Sequence, residues 1–210
     1  MTPHPVIFEI ERPATMSRAH VFLRILILVL ASWILGSGGG LGLVYLGLPA
    51  VAAILIAQKS GERYLMEDGD RVSGWVAFIV GVLAYVALLT DELPGGGRKP
   101  ARVEIVRSGS PTVGSALLRI VKAIPSVLVL ALLGIVSSLV GLVAAISILL
   151  NERYSERLWT FQSGVIRWHA RLLAYLASLI ETYPPFSFDT GPAEPSTGSP
   201  SEAGLEPSTP

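Results

Sequence analysis

Long apolar runs, separated by short charged loops, dominate the pattern along this chain of 210 residues. The clearest run is 126–150, which contains no charged residue. A bilayer core about 30 Å thick needs roughly 20 apolar residues in a helix, so this run predicts a membrane-spanning helix. Pro125 fits its first turn, where a missing N–H costs nothing. Segment 115–124 holds Arg119 and Lys122 among apolar residues and predicts a separate interfacial helix before the span.

The first half of the chain has apolar runs at 21–35 and 41–57, separated by Gly36-Ser37-Gly38-Gly39-Gly40. Polyglycine has poor helix propensity. The segment is therefore either a kink in one long helix or a turn between two short ones, and we favour a broken or hairpin arrangement. A further apolar helix is expected at 72–90. Together these runs predict an all-α integral membrane protein with about four transmembrane helices, within a range of three to five.

The last helix has a different pattern, with polar residues along one side and large apolar residues along the other. Such strong amphipathicity is typical of a helix lying among lipid headgroups, or of one crossing the membrane with its polar stripe turned inward. The stripe consists of Glu156, Thr160, Ser163, Arg167, Arg171, Ala174, Ser178 and Glu181.

Three short stretches alternate between apolar and polar residues, near 6–11, 102–107 and 186–189, as half-exposed strands do. A small extramembrane sheet that joins them requires an even number of spans between them. Basic residues are more frequent in the N-terminal segment and the central linker than in the Glu-Arg-Tyr loops near 63 and 153. The positive-inside rule then predicts that both termini are cytoplasmic.

The chain also repeats itself. Gly61-Glu62-Arg63-Tyr64 recurs 90 residues later as Asn151-Glu152-Arg153-Tyr154, and Arg24-Ile25 recurs 95 residues later as Arg119-Ile120. Such repetition predicts two tandem membrane repeats. The last twenty residues are rich in Pro, Ser, Gly and Glu and predict a disordered tail. The predicted units are an N-terminal segment 1–16, repeat 1 at 17–94, a linker 95–113, repeat 2 at 114–189 and the tail 190–210.

Composition supports the membrane assignment and leaves little material for catalysis. Hydrophobic residues make up 51% of the chain and charged residues 15%, which is unusual for a soluble domain. Basic and acidic residues balance at 16 each, so we expect no nucleic-acid partner. The chain has no cysteine, and His4, His20 and His169 are far apart. We therefore expect no metal site, no cofactor and no enzymatic activity.

Several motifs in the second half are recognisable together. They are Ile124-Pro125, Arg153-Tyr154, Gly164-Val165, Arg167-Trp168 and Thr182-Tyr183-Pro184-Pro185-Phe186. This pattern resembles a bacterial membrane-protein family, domain of unknown function 4389, over about 101–189, while the first half matches more weakly. The chain departs from the family at Ser126, Asn151 and Ser155, where the family has histidine, glycine and proline. The resemblance implies a tandem membrane protein of unassigned function and lends no catalytic residue.

Arg167 and Arg171, one helical turn apart, are the most distinctive charged pair. At the bilayer centre they would mark a functional site. We prefer the interpretation that both snorkel to headgroups from an interfacial helix flanked by aromatic residues, with binding of anionic lipid headgroups as an intermediate alternative. The candidate contacts for a lipid headgroup or a partner are Arg153, Tyr154, Arg167, Trp168, His169 and Arg171.

These features favour a non-enzymatic protein of the bacterial inner membrane. We expect it to act as a scaffold or accessory subunit that contacts membrane lipids and either a protein partner or a second copy of itself. The alternative is a small transporter or lipid-handling protein whose polar path is lined by the last helix.

Overall fold

Apolar residues at helical spacing form most of the structure, a computed structural model that describes residues 4–35, 39–92 and 101–185. Within these ranges the fold is mainly helical, with one small sheet, and α3 includes a π-helical segment, Tyr64–Asp68. The strands are β1 (Val6–Ile10) and β2 (Ala101–Ile105). The helices are α1 (Arg18–Leu35), α2 (Gly39–Lys59), α3 (Gly61–Val86), α4 (Val113–Asn151) and α5 (Glu156–Leu176).

Three helical stretches in the described ranges are long and apolar enough to cross a membrane. They are Gly42–Lys59, Gly61–Val86 and Val113–Asn151. This count is one lower than the four spans expected, although it lies within the predicted range. The last helix, α5, is not among them because its charged stripe lowers its hydropathy.

Helix α4 corrects the prediction of a separate interfacial helix at 115–124. It runs without interruption for 39 residues, with Pro125 inside it rather than at its start. The helix begins at Thr112, whose Oγ1 accepts the Ser115 N–H at 3.2 Å while Ser115 Oγ accepts the Thr112 N–H at 2.9 Å. This capping box supplies a stronger start signal than the proline. At 1.5 Å per residue, α4 is about 58 Å long, nearly twice the thickness of a bilayer core.

Three of the predicted features fall outside the described residues and stay predictions. Helix α1 ends at Leu35 and α2 begins at Gly39, so the choice between a turn and a kink rests on 36–38. The third predicted strand, 186–189, and the predicted disordered tail, 190–210, lie beyond 185.

The two described strands pair as expected. Strands β1 and β2 are antiparallel, with Phe8 opposite Val103, Val6 opposite Ile105 and Ile10 opposite Ala101. Phe8 and Val103 are 95 residues apart, which is the spacing of the upstream sequence repeat. The ladder is therefore centred on two equivalent positions. Val6 and Phe8 are buried against the helices, whereas Ile7 points to the exposed side.

Helices α3 and α5 end in the same way, 90 residues apart. In α3 the Ala87 N–H donates to the Leu83 carbonyl at 2.8 Å and the Leu89 N–H to the Ala84 carbonyl at 3.0 Å. In α5 the corresponding distances, for the N–H groups of 177 and 179, are 2.8 and 3.1 Å. Both turns are Schellman motifs whose positive-φ residue is not glycine: Leu88 has φ 63° and Ser178 has φ 58°.

Helix α5 lies at the centre of the fold rather than on its surface. Every residue from 162 to 180 is buried, by contact with α2, α3, α4 and β1. The prediction of an amphipathic helix lying among headgroups is therefore wrong for α5. The periodicity within the helix cannot reveal this burial, because the contacts that cover it, such as that of Phe8 in β1 with Arg167, come from other elements.

Candidate functional site

The arginine pair selected from the sequence lies beneath strand β1. Arg167 and Arg171 are only 8% and 2% exposed. Arg167 Nε donates to the Phe8 carbonyl at 3.4 Å, and its guanidinium carbon is 6.0 Å from the centre of the Phe8 ring. The preferred interpretation of two snorkelling arginines is therefore wrong, because both residues are buried inside the protein.

The other four selected residues occupy different surroundings. Arg153 is exposed, in the loop before α5, whereas Trp168 is buried. His169 is also buried, and its Nδ1–H donates to the Val165 carbonyl at 3.0 Å. Tyr154 is buried too, and desolvation raises the pKa of its phenol, an effect that the nearby Arg24 charge opposes. The structure thus does not bring the six residues together as one site.

Strand β1 brings one titratable group to the arginine pair. Val6 donates its N–H to His4 Nδ1 at 3.1 Å, and burial, followed by the charge of Arg171, lowers the pKa of His4 to about 4. A folded-state pKa below the ordinary value of 6.5 means that folding favours the neutral imidazole. That contribution is complete above pH 6.5 and is lost as the pH falls towards 4.

We therefore expect acidification across this window to lower the thermal unfolding temperature. His4→Gln, which keeps an acceptor for the Val6 N–H but does not titrate, should make the dependence shallower. Circular dichroism melts of both proteins at closely spaced pH values measure the difference. Identical pH profiles for the two proteins would show that His4 does not titrate as the structure indicates.

Two buried arginines that the sequence analysis had not selected hold the helix ends. Arg119 of α4 donates from Nη1 to the Tyr175 carbonyl at 2.7 Å and the Ile180 carbonyl at 2.5 Å. Its guanidinium carbon lies 4.6 Å from the centre of the Tyr175 ring. We call Arg119, Tyr175 and Ile180 the second clasp. It adds a side-chain donor to two carbonyls at the end of α5, where backbone donors run out.

The first clasp, formed by Arg24, Tyr85 and Thr90, has the same design. Arg24 of α1 donates from Nη2 to the Thr90 carbonyl, and its guanidinium carbon lies 4.4 Å from the centre of the Tyr85 ring. The same nitrogen is 3.0 Å from the Asp91 carboxylate. Arg24 and Arg119 are 95 residues apart, and Tyr85 and Tyr175 are 90 apart, so the clasps occupy equivalent positions. The recurrence of Arg24 and Arg119 at a fixed offset in the sequence repeat was the signal for their equivalent roles.

The two clasps differ in how completely their polar atoms are bonded. At the second clasp, the Tyr64 hydroxyl donates to the Ala177 carbonyl at 2.5 Å. The equivalent residue near the first clasp is Tyr154, whose buried hydroxyl has no partner among the described residues. Nε and Nη1 of Arg24 also lack one in that part of the chain. Within the described residues, three buried donors thus lack a partner around the first clasp, against one hydroxyl, that of Ser178, in the helix-end turn of the second.

This asymmetry predicts different results for two matched substitutions. Tyr64→Phe should lower the free energy of unfolding by about 1 kcal/mol, because it leaves the buried Ala177 carbonyl without its donor. Tyr154→Phe should leave it unchanged or raise it, because it removes a buried hydroxyl that has no partner among the described residues. Unfolding titrations in detergent, followed by far-UV circular dichroism, compare the two. Equal losses from both substitutions would contradict the asymmetry.

An apolar cavity of about 460 Å³ opens beside the first clasp, between α1, α3, α4 and α5. Arg24, Ala87 and Leu88 lie on its wall, and Gln162 and His169 face it from α5. The wall therefore uses a different side of α5 from the polar stripe predicted to line a path. Gln162 is fixed on the α4 side, where its Oε1 accepts from Ser137 Oγ at 2.8 Å.

Two glycines of α4 leave part of this cavity open. A Cβ added at Gly134 or Gly141 would meet nothing within 4 Å. The cavity wall is otherwise aliphatic, with a few hydroxyl, amide and imidazole groups. No group of three histidine, aspartate or glutamate side chains suited to a metal ion occurs among residues 4–35, 39–92 and 101–185.

The closing motif of the second half is anchored to α4. The Tyr183 hydroxyl lies 2.6 Å from Ser126 Oγ, and the rings of Tyr183 and Tyr175 meet edge to face with centres 5.4 Å apart. Ser126 occupies the position where the resembled family has histidine. Ser126 is therefore a polar partner for the Tyr183 hydroxyl.

Comparison with known proteins relates one region of the chain to a known family. No curated protein and no solved structure matches the chain. The region that contains the second clasp, α4, α5 and the Tyr183 anchor does match a family. Residues 114–187 match the model of the family described as Domain of unknown function (DUF4389), which confirms the resemblance found in the sequence motifs.

Proposed function

We propose that the protein is a non-enzymatic integral membrane protein that acts as a scaffold or accessory subunit of a membrane complex. The observation that carries this proposal is the surface of α4. Large aliphatic side chains are exposed along it from Leu117 to Leu150, among them Leu132 at 66% and Leu139 at 61%. Only 11% of its apolar 18-residue stretch is buried inside the protein. A contiguous apolar surface of this length needs lipid or another protein to cover it.

The interior supports a structural role. The buried charges of both clasps bind backbone carbonyls at helix ends, and Arg167 binds a carbonyl of β1. Such contacts fix the positions of helices relative to one another. The described polar groups are thus used to assemble the bundle, which is what a scaffold requires.

Topology follows from the strand pair. Because β1 and β2 are hydrogen-bonded to each other, the chain between them crosses a membrane an even number of times. We propose two tandem units, one in each half, with the N-terminal segment, the linker and both termini on the cytoplasmic side of a bacterial inner membrane; this topology requires α5 to cross the membrane inside the bundle, as the return from α4. The matched ladder, helix-end turns and clasps support the two-unit arrangement.

Photocrosslinking in native membranes tests the scaffold role. A photoreactive phenylalanine analogue would replace one exposed residue at a time, at Leu43, Leu46 or Ile54 of α2 and at Leu128 or Leu139 of α4. We expect discrete protein adducts from neighbouring positions on one helix and lipid adducts from the other positions. The same analogue placed at Lys122, an exposed cation near the start of α4, is the control. Lipid adducts alone at every α2 and α4 position would refute the scaffold role and leave membrane residence intact.

The alternative role, a transporter or lipid-handling protein, is supported by a different feature from the one expected. None of the predicted stripe residues lines the cavity, and Arg167 of the stripe is in contact with Phe8 of β1. The cavity itself, which is mainly apolar, favours lipid handling over the transport of a polar solute.

A further inference from the structure

The difference between the two clasps points to a ligand. Both clasps are built from an arginine, a tyrosine ring and a carbonyl at a helix end. At the second clasp the nearby Tyr64 hydroxyl has a protein acceptor. At the first, Arg24 Nε, Arg24 Nη1 and the Tyr154 hydroxyl have none among the described residues. Burying three donors without acceptors is costly, so an acceptor from outside the chain fits this position.

The first clasp is also the one that adjoins the large cavity. Arg24 is 2% exposed and lies on the wall of the cavity together with aliphatic groups of all four surrounding helices. The volume of the cavity, about 460 Å³, falls within the range of roughly 300–1,000 Å³ in which proteins hold small molecules and cofactors. A mainly apolar wall with buried donors at one place matches a molecule that has a long apolar part and an oxygen-rich end.

We propose that this cavity binds one acyl chain of a membrane phospholipid, with an ester or phosphate oxygen accepting hydrogen bonds from Arg24 and Tyr154. The proposal rests on the membrane residence proposed above, because the cavity opens between helices that we place in the bilayer. Arg24 is already paired with Asp91, so its charge is largely compensated. The site therefore recognises an acceptor oxygen that zwitterionic and anionic phospholipids share, rather than a net negative charge.

Substitutions at two glycines distinguish effects at the cavity from effects elsewhere in the bundle. Gly141→Phe introduces a ring into the cavity, where an added Cβ meets nothing within 4 Å. Gly74→Phe makes the same change on the exposed side of α3, where a Cβ is equally unhindered and which does not line the cavity. Tyr154→Phe removes one of the proposed donors without changing the shape of the side chain.

Native mass spectrometry of the full chain, purified in a mild detergent, measures binding directly. The probes are dioleoyl phosphatidylcholine and dioleoyl phosphatidylglycerol, added separately. We expect the wild-type chain and Gly74→Phe to retain one lipid with saturable binding and similar affinity for both headgroups. Gly141→Phe should bind at least about tenfold more weakly, and Tyr154→Phe about three- to tenfold more weakly, as expected for one lost hydrogen bond.

Two results would overturn the proposal. One is lipid binding by Gly141→Phe that equals that of Gly74→Phe, provided that both give the wild-type circular dichroism spectrum. The other is binding that does not saturate, since that describes a general lipid annulus. If the protein integrates into membranes but binds no lipid in this cavity, the proposed site alone is refuted. A protein that leaves membranes on alkaline extraction would refute the proposed membrane residence.

Discussion

Replacing Arg119 with methionine is expected to lower the free energy of unfolding by about 3 kcal/mol, the largest loss we expect from a single polar residue. Methionine retains apolar volume but removes the side-chain donor from the Tyr175 and Ile180 carbonyls, of which the Tyr175 carbonyl keeps its bond from the Ser178 N–H. A buried acceptor that loses a partner costs about 1–3 kcal/mol. Removal of the buried charge itself offsets part of this loss. Unfolding in detergent, monitored by far-UV circular dichroism, gives the value.

Lys122 provides the control for this prediction, because it lies on the same helix but is exposed. Lys122→Met removes one positive charge from α4 without touching a helix end. We expect a change below about 0.5 kcal/mol. If both substitutions changed stability equally, Arg119 would not act as a clasp and its contacts with α5 would carry no net energy.

Replacing Leu139 with arginine is expected to reduce membrane insertion strongly. Leu139 lies in the uncharged part of α4 and points away from the protein. An arginine near the centre of a spanning helix costs about 2.5–3.5 kcal/mol on the translocon insertion scale. That cost corresponds to roughly a hundredfold shift in the insertion equilibrium, since each 1.4 kcal/mol is tenfold. The measurement is the fraction of the protein that resists alkaline extraction from membranes.

The matched control is Leu139→Ala, which shortens the same side chain without adding charge. It should leave insertion close to wild type. If Leu139→Arg inserted as well as Leu139→Ala, this face of α4 would not lie in the hydrocarbon region.

Local sequence signals predicted the elements that depend on local physics. The uncharged run of 126–150 gave most of α4, and apolar–polar alternation gave β1 and β2. The predictions failed where another local signal or a tertiary contact determined the structure. The capping box at Thr112 starts α4 well before Pro125, and the contact with β1 buries the stripe of α5.

The candidate site was harder to predict because its parts are far apart along the chain. Arg24 and Arg119 appeared only as matched letters of the repeat, and the backbone carbonyls that they bind lie 66 and 56 residues away at the nearest. An amphipathic pattern alone does not show whether Arg167 is exposed to solvent or buried by another part of the chain. The cavity depends on how four helices pack, which no single helix records.

Collision measurements on nitroxide-labelled α4 test the central claim, that its exposed apolar face lies in a bilayer. The chain has no cysteine, so single cysteines at Leu128, Leu132, Leu139 and Ile146 can each carry a label without removing a native thiol. In phospholipid vesicles we predict high collision rates with oxygen and low rates with a water-soluble nickel complex at all four positions. High collision rates with the nickel complex along the whole face would contradict the account.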